Sequence, residues 1–257
     1  MSEMSDSDEV KRVARIYDDR ASKSNSIDAA GQWGSNDIVP LICDEIINKI
    51  KIRGSDFVLE IGCGSGVLGK IVKTRCKFYV GFDVSAVMLK KFLDEPYGEK
   101  PNLLQSSAEV IPLEKKMFNI IIMNGVSMYF PNRRFLQAVL AEIERVAKSD
   151  AAIFIGENII PSRYYWELVW FENLSPLLQF FAKPYIKTRK WLANNNHLAR
   201  KWKNIHKDIS PNLLRNYFKG RADVFVSDAA AYTVRKKLFG KNVKGNRRVD
   251  FLIKLKT

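Results

Sequence analysis

Nine consecutive residues constrain the fold of this chain more than any other stretch. Residues 58–66 read Val-Leu-Glu-Ile-Gly-Cys-Gly-Ser-Gly, an apolar run that breaks into three alternating glycines. Val58, Leu59 and Ile61 are typical of a strand buried on both faces, and the glycines permit a turn and a close backbone approach. Residues 67–72 can then open a helix, whose free N–H groups favour the negative end of a ligand. The segment predicts a strand, a nucleotide-binding loop and a helix.

A second motif makes this prediction more specific. Residues 78–85 read Phe-Tyr-Val-Gly-Phe-Asp-Val-Ser and predict a strand that ends at Asp83, whose carboxylate can accept hydrogen bonds from ribose hydroxyls. Glu60 stands two residues before the first glycine, where a dinucleotide-binding loop needs no carboxylate. With both motifs present, the chain resembles the class I S-adenosylmethionine-dependent methyltransferases. The first motif of that family matches Glu60 to Gly66, and the second matches Gly81 to Ser85.

The resemblance implies a fold and a set of cofactor contacts. It implies an α/β, Rossmann-like fold with a mainly parallel seven-stranded sheet, helices on both faces, and S-adenosylmethionine as the cofactor. Ser107 stands where the family often has an acidic residue, and its hydroxyl can also accept a hydrogen bond. The cofactor-binding residues that the resemblance implies in the core are Glu60, Gly62, Cys63, Gly64, Asp83, Val84, Met88, Ser107, Ala108 and Asn124.

The N-terminal residues 1–36 are predicted to form a lid over the cofactor. Residues 9–21 have an apolar stripe at helical spacing, which includes Ile16, and residues 22–34 read as a polar loop. The family resemblance implies an aromatic side chain near the methionine end of the cofactor. Tyr17 and Trp33 are the candidates for that role, and the alternative is that both are ordinary packing residues.

We expect a single domain over residues 1–257, because one core can account for the whole chain. Its core is predicted to comprise residues 37–158 and 209–257. Apolar runs predict later strands at residues 118–126, 151–158, 222–227 and 249–255, and the last core helix at residues 210–220. Residues 159–208 then form an insertion between the fifth strand and that helix. An insertion of this length usually carries structure and function, and Pro176 and Pro184 predict short helices in it.

The insertion and the residues after it differ from the rest in charge and aromatic content. Residues 1–182 contain 22 Lys and Arg against 24 Asp and Glu, whereas residues 183–257 contain 20 against 4. The insertion also holds Trp166, Trp170, Trp191 and Trp202. Three interpretations remain open: a cap over the substrate, a cap that also contacts an anionic membrane surface, and a contact with single-stranded nucleic acid. The charge favours an anionic substrate, small or lipid-linked.

The sequence also indicates a compartment and a chemistry without metal. The first nine residues are polar and acidic, unlike a secretory signal, and no apolar run reaches the length of a membrane span. Cys43, Cys63 and Cys76 are odd in number and lack metal-ligand spacing, which favours a reduced, cytoplasmic location. A membrane-peripheral location within the cytoplasm is the alternative if the insertion contacts lipid. We expect no metal ion.

Methyl transfer requires in-line geometry, exclusion of water and a nucleophile with a free lone pair. A general base helps an alcohol acceptor but is dispensable for a neutral amine. The catalytic residue is therefore not fixed by the sequence. Its candidates are Tyr129 beyond the fourth strand, Glu157 at the end of the fifth, and the insertion histidines His197 and His206, which are also plausible surface residues.

The sequence leaves three hypotheses about function. The first is a methyltransferase that modifies oxygen or nitrogen of a small-molecule, sugar or lipid-linked acceptor. The second is an RNA or protein methyltransferase that uses the basic C-terminal surface. The third is a non-catalytic binder with the same fold, although such a binder would not need the glycines and Asp83. Residues 124–127 read Asn-Gly-Val-Ser instead of an amino-group clamp with two prolines, which disfavours methylation of nucleic-acid bases.

Overall fold

The structure, a computed structural model, has a seven-stranded sheet with the strand order β3-β2-β1-β4-β5-β7-β6. It describes residues 5–30, 37–94, 99–159, 209–239 and 248–256. The strands are β1 (Phe57–Ile61), β2 (Phe78–Asp83), β3 (Asn102–Gln105), β4 (Phe118–Asn124), β5 (Ala147–Ile159), β6 (Ala222–Asp228) and β7 (Arg248–Leu255). Strand β7 runs antiparallel to both β5 and β6, and the other pairings are parallel.

Helices cover both faces of the sheet. The described helices are α1 (Asp6–Lys23), α2 (Ser26–Ala30), α3 (Val39–Ile50), α4 (Gly69–Lys73), α5 (Ala86–Asp94), α6 (Arg133–Val146), α7 (Pro211–Tyr217) and α8 (Ala230–Phe239). Residues of α3, α4, α5 and α8 share one buried cluster with Val58 and Ile122. Residues of α6 and α7 share another with Leu59 and Ile121. Successive side chains of β1 and β4 therefore pack against the helices on opposite faces of the sheet. This explains why both strands are continuous apolar runs in the sequence.

The predicted Rossmann-like, mainly parallel sheet of seven strands is confirmed. The insertion predicted over residues 159–208 stays a prediction, because residues 160–208 lie outside the described residues. Among the described residues, no helix combines the length and the apolar character that crossing a membrane requires.

Several local predictions were wrong. The polar loop expected over residues 22–34 contains α2, because the Asn25 side chain accepts a hydrogen bond from the backbone N–H of Asp28 at 2.8 Å and begins a short helix. The helix expected from residue 67 begins at Gly69 and has only 5 residues. Ile16, placed in the apolar stripe of α1, is 47% exposed. Helix α8, which packs beside α3, was not predicted at all.

Candidate functional site

The glycine loop after β1 is shaped by its neighbour β2. The backbone N–H groups of Gly62 and Cys63 both donate to the carbonyl oxygen of Phe82, at 2.8 and 3.0 Å. Gly62 has a φ of +70°, and a Cβ there would lie 2.3 Å from a methyl group of Val126. Gly66 has a φ of +79°, and a Cβ there would lie 2.3 Å from the ring of Phe92. Only glycine fits either position, so the turn predicted from the sequence has a steric requirement here.

Asp83 lies at the end of β2 and fixes the loop from the other side. One carboxylate oxygen accepts the backbone N–H of Gly64, and the other accepts that of Ser85, both at 2.9 Å. Burial raises the pKa of Asp83, while these backbone N–H groups lower it. Each oxygen has one further lone pair, so the side chain can still accept hydrogen bonds from a ligand.

Glu60 is buried beneath the loop and is paired with a tyrosine. The Tyr79 hydroxyl donates to Oε2 of Glu60 at 2.5 Å. The pKa of Glu60 is raised to about 8, mainly because burial disfavours its charged form, and the Tyr79 hydroxyl partly opposes that rise. Glu60 therefore holds its proton around neutral pH. It faces a ligand as a neutral carboxyl group.

Helix α1 lies over the site and is tied down at two points. The Tyr17 hydroxyl donates to the Tyr129 hydroxyl at 2.6 Å, and the two rings meet edge to face. One oxygen of Asp18 accepts the hydroxyl of Ser85 at 2.5 Å and the backbone N–H of Val87 at 3.3 Å. Burial raises the pKa of Tyr17 far above its usual value. The hydroxyl therefore stays protonated and keeps its hydrogen bond across the site.

The carboxyl ends of β4 and β5 bring two more predicted residues to the site. Asn124 is opposite Gly156 in the parallel pairing, and a Cβ on Gly156 would lie 2.1 Å from Oδ1 of Asn124. Glu157 follows, 8% exposed, and its Oε2 accepts a hydrogen bond from Arg248 at 3.0 Å. Burial raises the pKa of Glu157, as does the nearby Asp250, while Arg248 lowers it. Oδ1 of Asn124 and Oε1 of Glu157 are buried and accept no hydrogen bond from the described residues.

One pocket contains every predicted site residue that the structure describes. The pocket is also lined by the apolar residues Phe130, Phe135 and Ala231, which the sequence analysis did not assign to it. Trp33, His197 and His206 lie outside the described residues. The predicted residues that line the pocket are Tyr17, Glu60, Gly62, Cys63, Gly64, Asp83, Val84, Met88, Ser107, Ala108, Asn124, Tyr129 and Glu157.

Comparison with known proteins identifies the family that uses such a pocket. Residues 59–155, which span β1 to β5, match the family model described as a methyltransferase domain. This match covers 97 of the 257 residues, and it shows a domain similar to that of the class I S-adenosylmethionine-dependent methyltransferases. The cofactor of this family is S-adenosylmethionine. The residues present fit it, because Asp83 retains lone pairs and the loop leaves a cradle that any Cβ at Gly62 or Gly66 would disturb.

The methyltransferase's relatives differ widely in length. It is 29% identical over 120 residues to chondramide synthase of Chondromyces crocatus, covering 44% of this chain but 3% of the synthase. It is 29% identical over 147 residues to demethylmenaquinone methyltransferase of Lactobacillus johnsonii, covering 54% of this chain and 58% of that enzyme. The chain thus spans less than two thirds of either relative.

The fold is similar to that of solved methyltransferases over nearly the whole chain. A phosphoethanolamine N-methyltransferase of Haemonchus contortus, solved with phosphoethanolamine and S-adenosylhomocysteine, aligns with a TM-score of 0.68 at 12% identity. The alignment covers 98% of this chain and 50% of that one. At this identity the likeness concerns the fold.

Proposed function

We propose that this methyltransferase transfers the methyl group of S-adenosylmethionine to oxygen or nitrogen of a small-molecule, sugar or lipid-linked acceptor. The observation that carries the proposal is the arrangement of the pocket. Asp83 and the glycine loop line it together with Tyr129 and Glu157, and Tyr17 of α1 lines it too and bonds to Tyr129. Cofactor and acceptor therefore have adjoining places in one covered site.

The cofactor side follows from the residues that line it. Asp83 would accept the ribose hydroxyls through its remaining lone pairs, since its other ones already hold Gly64 and Ser85. Ser107 and Ala108, beyond the end of β3, would border the adenine, and Met88 would pack beside the glycine loop. S-adenosylmethionine would supply an activated methyl group, whose carbon a nucleophile attacks while the thioether sulfur leaves, without help from a metal. The protein has to place the two reactants in line and exclude water.

The contact between Tyr17 and Tyr129 supports a small acceptor over a large one. This contact closes α1 over the pocket with a hydrogen bond of 2.6 Å and an edge-to-face ring pair. A nucleic-acid base or a protein side chain would have to enter past this cover, whereas a small molecule can be enclosed by it. The name of the relative demethylmenaquinone methyltransferase points in the same direction, whereas that of the relative 18S rRNA (guanine-N(7))-methyltransferase bud23 points to RNA.

The uneven charge of the sequence favours a second candidate. Residues 183–257 contain 20 Lys and Arg against 4 Asp and Glu, which would suit a polyanion such as RNA. Under this alternative the protein methylates RNA or a protein bound through its basic surface. The described pocket residues offer that alternative no support, because they include no Lys or Arg.

Methyl transfer into a fractionated cell extract tests these assignments. The protein is incubated with radiolabelled S-adenosylmethionine, and label is counted in lipid, small-molecule, RNA and protein fractions. We expect label in the small-molecule or lipid fraction. Label confined to RNA or protein would establish the second candidate instead. S-adenosylhomocysteine binding by calorimetry without transfer to any fraction would identify a non-catalytic binder.

A further inference from the structure

A bulge in β5 sets the backbone of Glu157. The pairing of β5 with β7 shifts register between Ile155 and Asn158, and Glu157 within that interval has a φ of +59°. Residues other than glycine rarely adopt this left-handed backbone conformation. Bulges next to active sites change the direction of the side chains that they carry. Asp250 holds the distorted backbone by accepting the N–H of Glu157 at 2.9 Å. The fold thus maintains a strained residue at the edge of the pocket.

Only one of the two carboxylate oxygens of Glu157 has a hydrogen-bond partner among the described residues. Arg248 donates to Oε2 at 3.0 Å, while Oε1 is buried and accepts no hydrogen bond from the described residues. Glu157 is one of the residues that line the pocket. Oδ1 of Asn124, on the adjacent strand, is in the same situation. A buried acceptor without a donor is a destabilising arrangement that native proteins seldom tolerate. Two such acceptors at the end of neighbouring strands indicate a ligand that supplies donors.

The charges around the pocket indicate the kind of donor. The carboxyl groups that line it are those of Asp83, Glu157 and Glu60, of which Glu60 is neutral around pH 7, and the described lining residues include no Lys, Arg or His. A cationic ligand therefore suits this part of the pocket better than an anionic one. The anionic acceptor expected from the sequence depends on basic residues of 183–257, most of which lie outside the described residues.

We propose that Glu157 and Asn124 bind the N–H groups of an amine acceptor, which this site methylates on nitrogen. The inference rests on the proposed function and narrows its acceptor from oxygen or nitrogen to nitrogen. A primary amine has two N–H donors for the two carbonyl-type oxygens, and its ammonium has three, whereas an alcohol has one O–H and would leave one of them unpaired. Arg248 keeps the carboxylate in place by holding Oε2, so that Oε1 remains directed at the amine.

The carboxylate also has a role in the proton balance. An alkylammonium has no lone pair, so one proton passes from its nitrogen to Oε1 of Glu157 before transfer. The freed lone pair then forms the new N–C bond as the C–S bond of the sulfonium breaks, and the electron pair of that bond goes to sulfur, giving S-adenosylhomocysteine. The carboxyl later releases its proton to water. Burial and Asp250 raise the pKa of Glu157 against the effect of Arg248, which makes it a better proton acceptor.

The identity of the methylated atom is the first test. Protein, ¹³C-methyl S-adenosylmethionine and the small-molecule filtrate of a cell extract are incubated, and the product methyl group is assigned by ¹³C–¹H correlation NMR. We expect a methyl group on nitrogen. A methyl group on oxygen overturns this inference and leaves the proposed function intact, whereas a methyl group on carbon overturns both. Absence of label from every cellular fraction rejects both.

The second test isolates the role of Glu157. Glu157→Gln should lower the rate with that filtrate at least about tenfold at neutral pH, with partial recovery as the pH approaches about 10, where solution amines lose their proton unaided. Its affinity for S-adenosylhomocysteine should equal that of wild type. Glu114→Gln, at an exposed position, should change neither property. A wild-type rate, a deficit independent of pH, or a loss of S-adenosylhomocysteine affinity overturns the inference, the last because Glu157 would then serve the cofactor's own amino group.

A third comparison separates chemistry from folding. Glu157→Gly and Glu157→Ala both remove the carboxylate, but only glycine suits a φ of +59° without strain. We expect a higher Tm for Glu157→Gly than for Glu157→Ala, together with the same loss of transfer in both. An equal or lower Tm for the glycine variant would contradict the strained geometry on which the inference rests.

Discussion

Asp83 shows how one side chain can organise a loop and remain available to a ligand. It accepts one backbone N–H on each oxygen, from Gly64 and Ser85, and it also lines the pocket. We predict that Asp83→Ala lowers the affinity for S-adenosylhomocysteine by roughly ten- to a hundredfold, since a charge-assisted hydrogen bond contributes about 1.5–3 kcal/mol. Titration calorimetry measures this, with Asp94→Ala at an exposed position of α5 as the control. Wild-type affinity in a folded Asp83→Ala protein would contradict the assignment.

Glu60 gives the protein a specific dependence of stability on pH. Its pKa is raised from 4.5 to about 8 in the folded state, mainly by burial. Between these two values the folded protein binds more protons than the unfolded chain, so the stability that Glu60 contributes is complete below about 4.5 and is lost as the pH rises through about 8. One proton allows a slope of at most ~1.4 kcal/mol per pH unit.

Glu60→Gln tests this dependence because the amide resembles the protonated carboxyl and can still accept from Tyr79. We expect the free energy of unfolding of wild type, measured by urea denaturation from pH 5 to pH 8, to fall relative to that of Glu60→Gln as the pH rises. The difference between the two proteins removes the contributions of other groups, among them Asp83 and Asp250, whose pKa values are also raised by burial. A constant difference across this range would show that Glu60 titrates normally.

At the scale of elements, Asp250 connects four of them at one buried point. Its carboxylate accepts the backbone N–H of Glu157 on β5 and of Ala230 at the start of α8, both at 2.9 Å, and pairs with Lys49 of α3 at 2.7 Å. We predict that Asp250→Ala, on β7, lowers the free energy of unfolding by about 3–5 kcal/mol, because two buried N–H groups lose their acceptor and the half-buried Lys49 ammonium loses its counterion. The ammonium keeps its hydrogen bonds to Ser227 and to the carbonyl oxygen of Asp228.

Asp19→Ala is the matched control for that prediction. Asp19 pairs with Lys23 on α1, but both side chains are more than half exposed, so its loss should change the free energy of unfolding by less than about 1 kcal/mol. Urea denaturation of both variants supplies the comparison. Similar losses for Asp250→Ala and Asp19→Ala would show that the buried network is no more important than a surface ion pair.

Elements with strong local signals could be predicted from the sequence, and elements defined by distant contacts could not. Strands β1, β2 and β4 are continuous apolar runs, because both faces of each are covered. Strand β3 has only 4 residues with exposed ends, which leaves too weak a pattern to detect. Helix α8 owes its start to Asp250, 20 residues away in sequence.

The same distinction between local signals and distant contacts applies to the residues of the site. The glycine loop and Asp83 are 19 residues apart and follow from two adjoining motifs. The carboxylate of Glu157 could be proposed as facing the cleft, since ligands bind at the carboxyl ends of parallel strands. Its bulge and its pairing with Arg248, 91 residues later, come from the antiparallel partner strand. Nothing near residue 157 in the sequence encodes either of them.

At the scale of the whole molecule, the uneven charge predicts a response to anionic lipid. If the basic residues meet a membrane surface, replacing Lys187, Arg189 and Lys190 with Gln should weaken binding to anionic vesicles by about 1 kcal/mol per residue, with an effect that fades as salt rises. Vesicle flotation measures the binding, and calorimetry should show unchanged affinity for S-adenosylhomocysteine.

The control for the vesicle experiment removes the same charge from elsewhere. Gln replacements at Lys90, Lys100 and Lys115, which are exposed in the nearly neutral part of the chain, should have little effect on flotation. Trp166→Ala should weaken binding in a way that depends less on salt, because its contribution comes from buried area. Absence of wild-type binding to anionic vesicles at low salt would contradict the membrane contact and favour the interpretation of residues 159–208 as a cap over the substrate alone.

The position of β7 between β5 and β6 has a consequence for synthesis on the ribosome. Strand β6 is translated before β7 but pairs, within the described sheet, with β7 alone. Until residues 248–255 have emerged, β6 has no strand to join, and β5 presents an open edge of unpaired backbone groups to other nascent chains. Protection of this chain from aggregation during translation therefore depends on a strand that begins 89 residues after the end of β5.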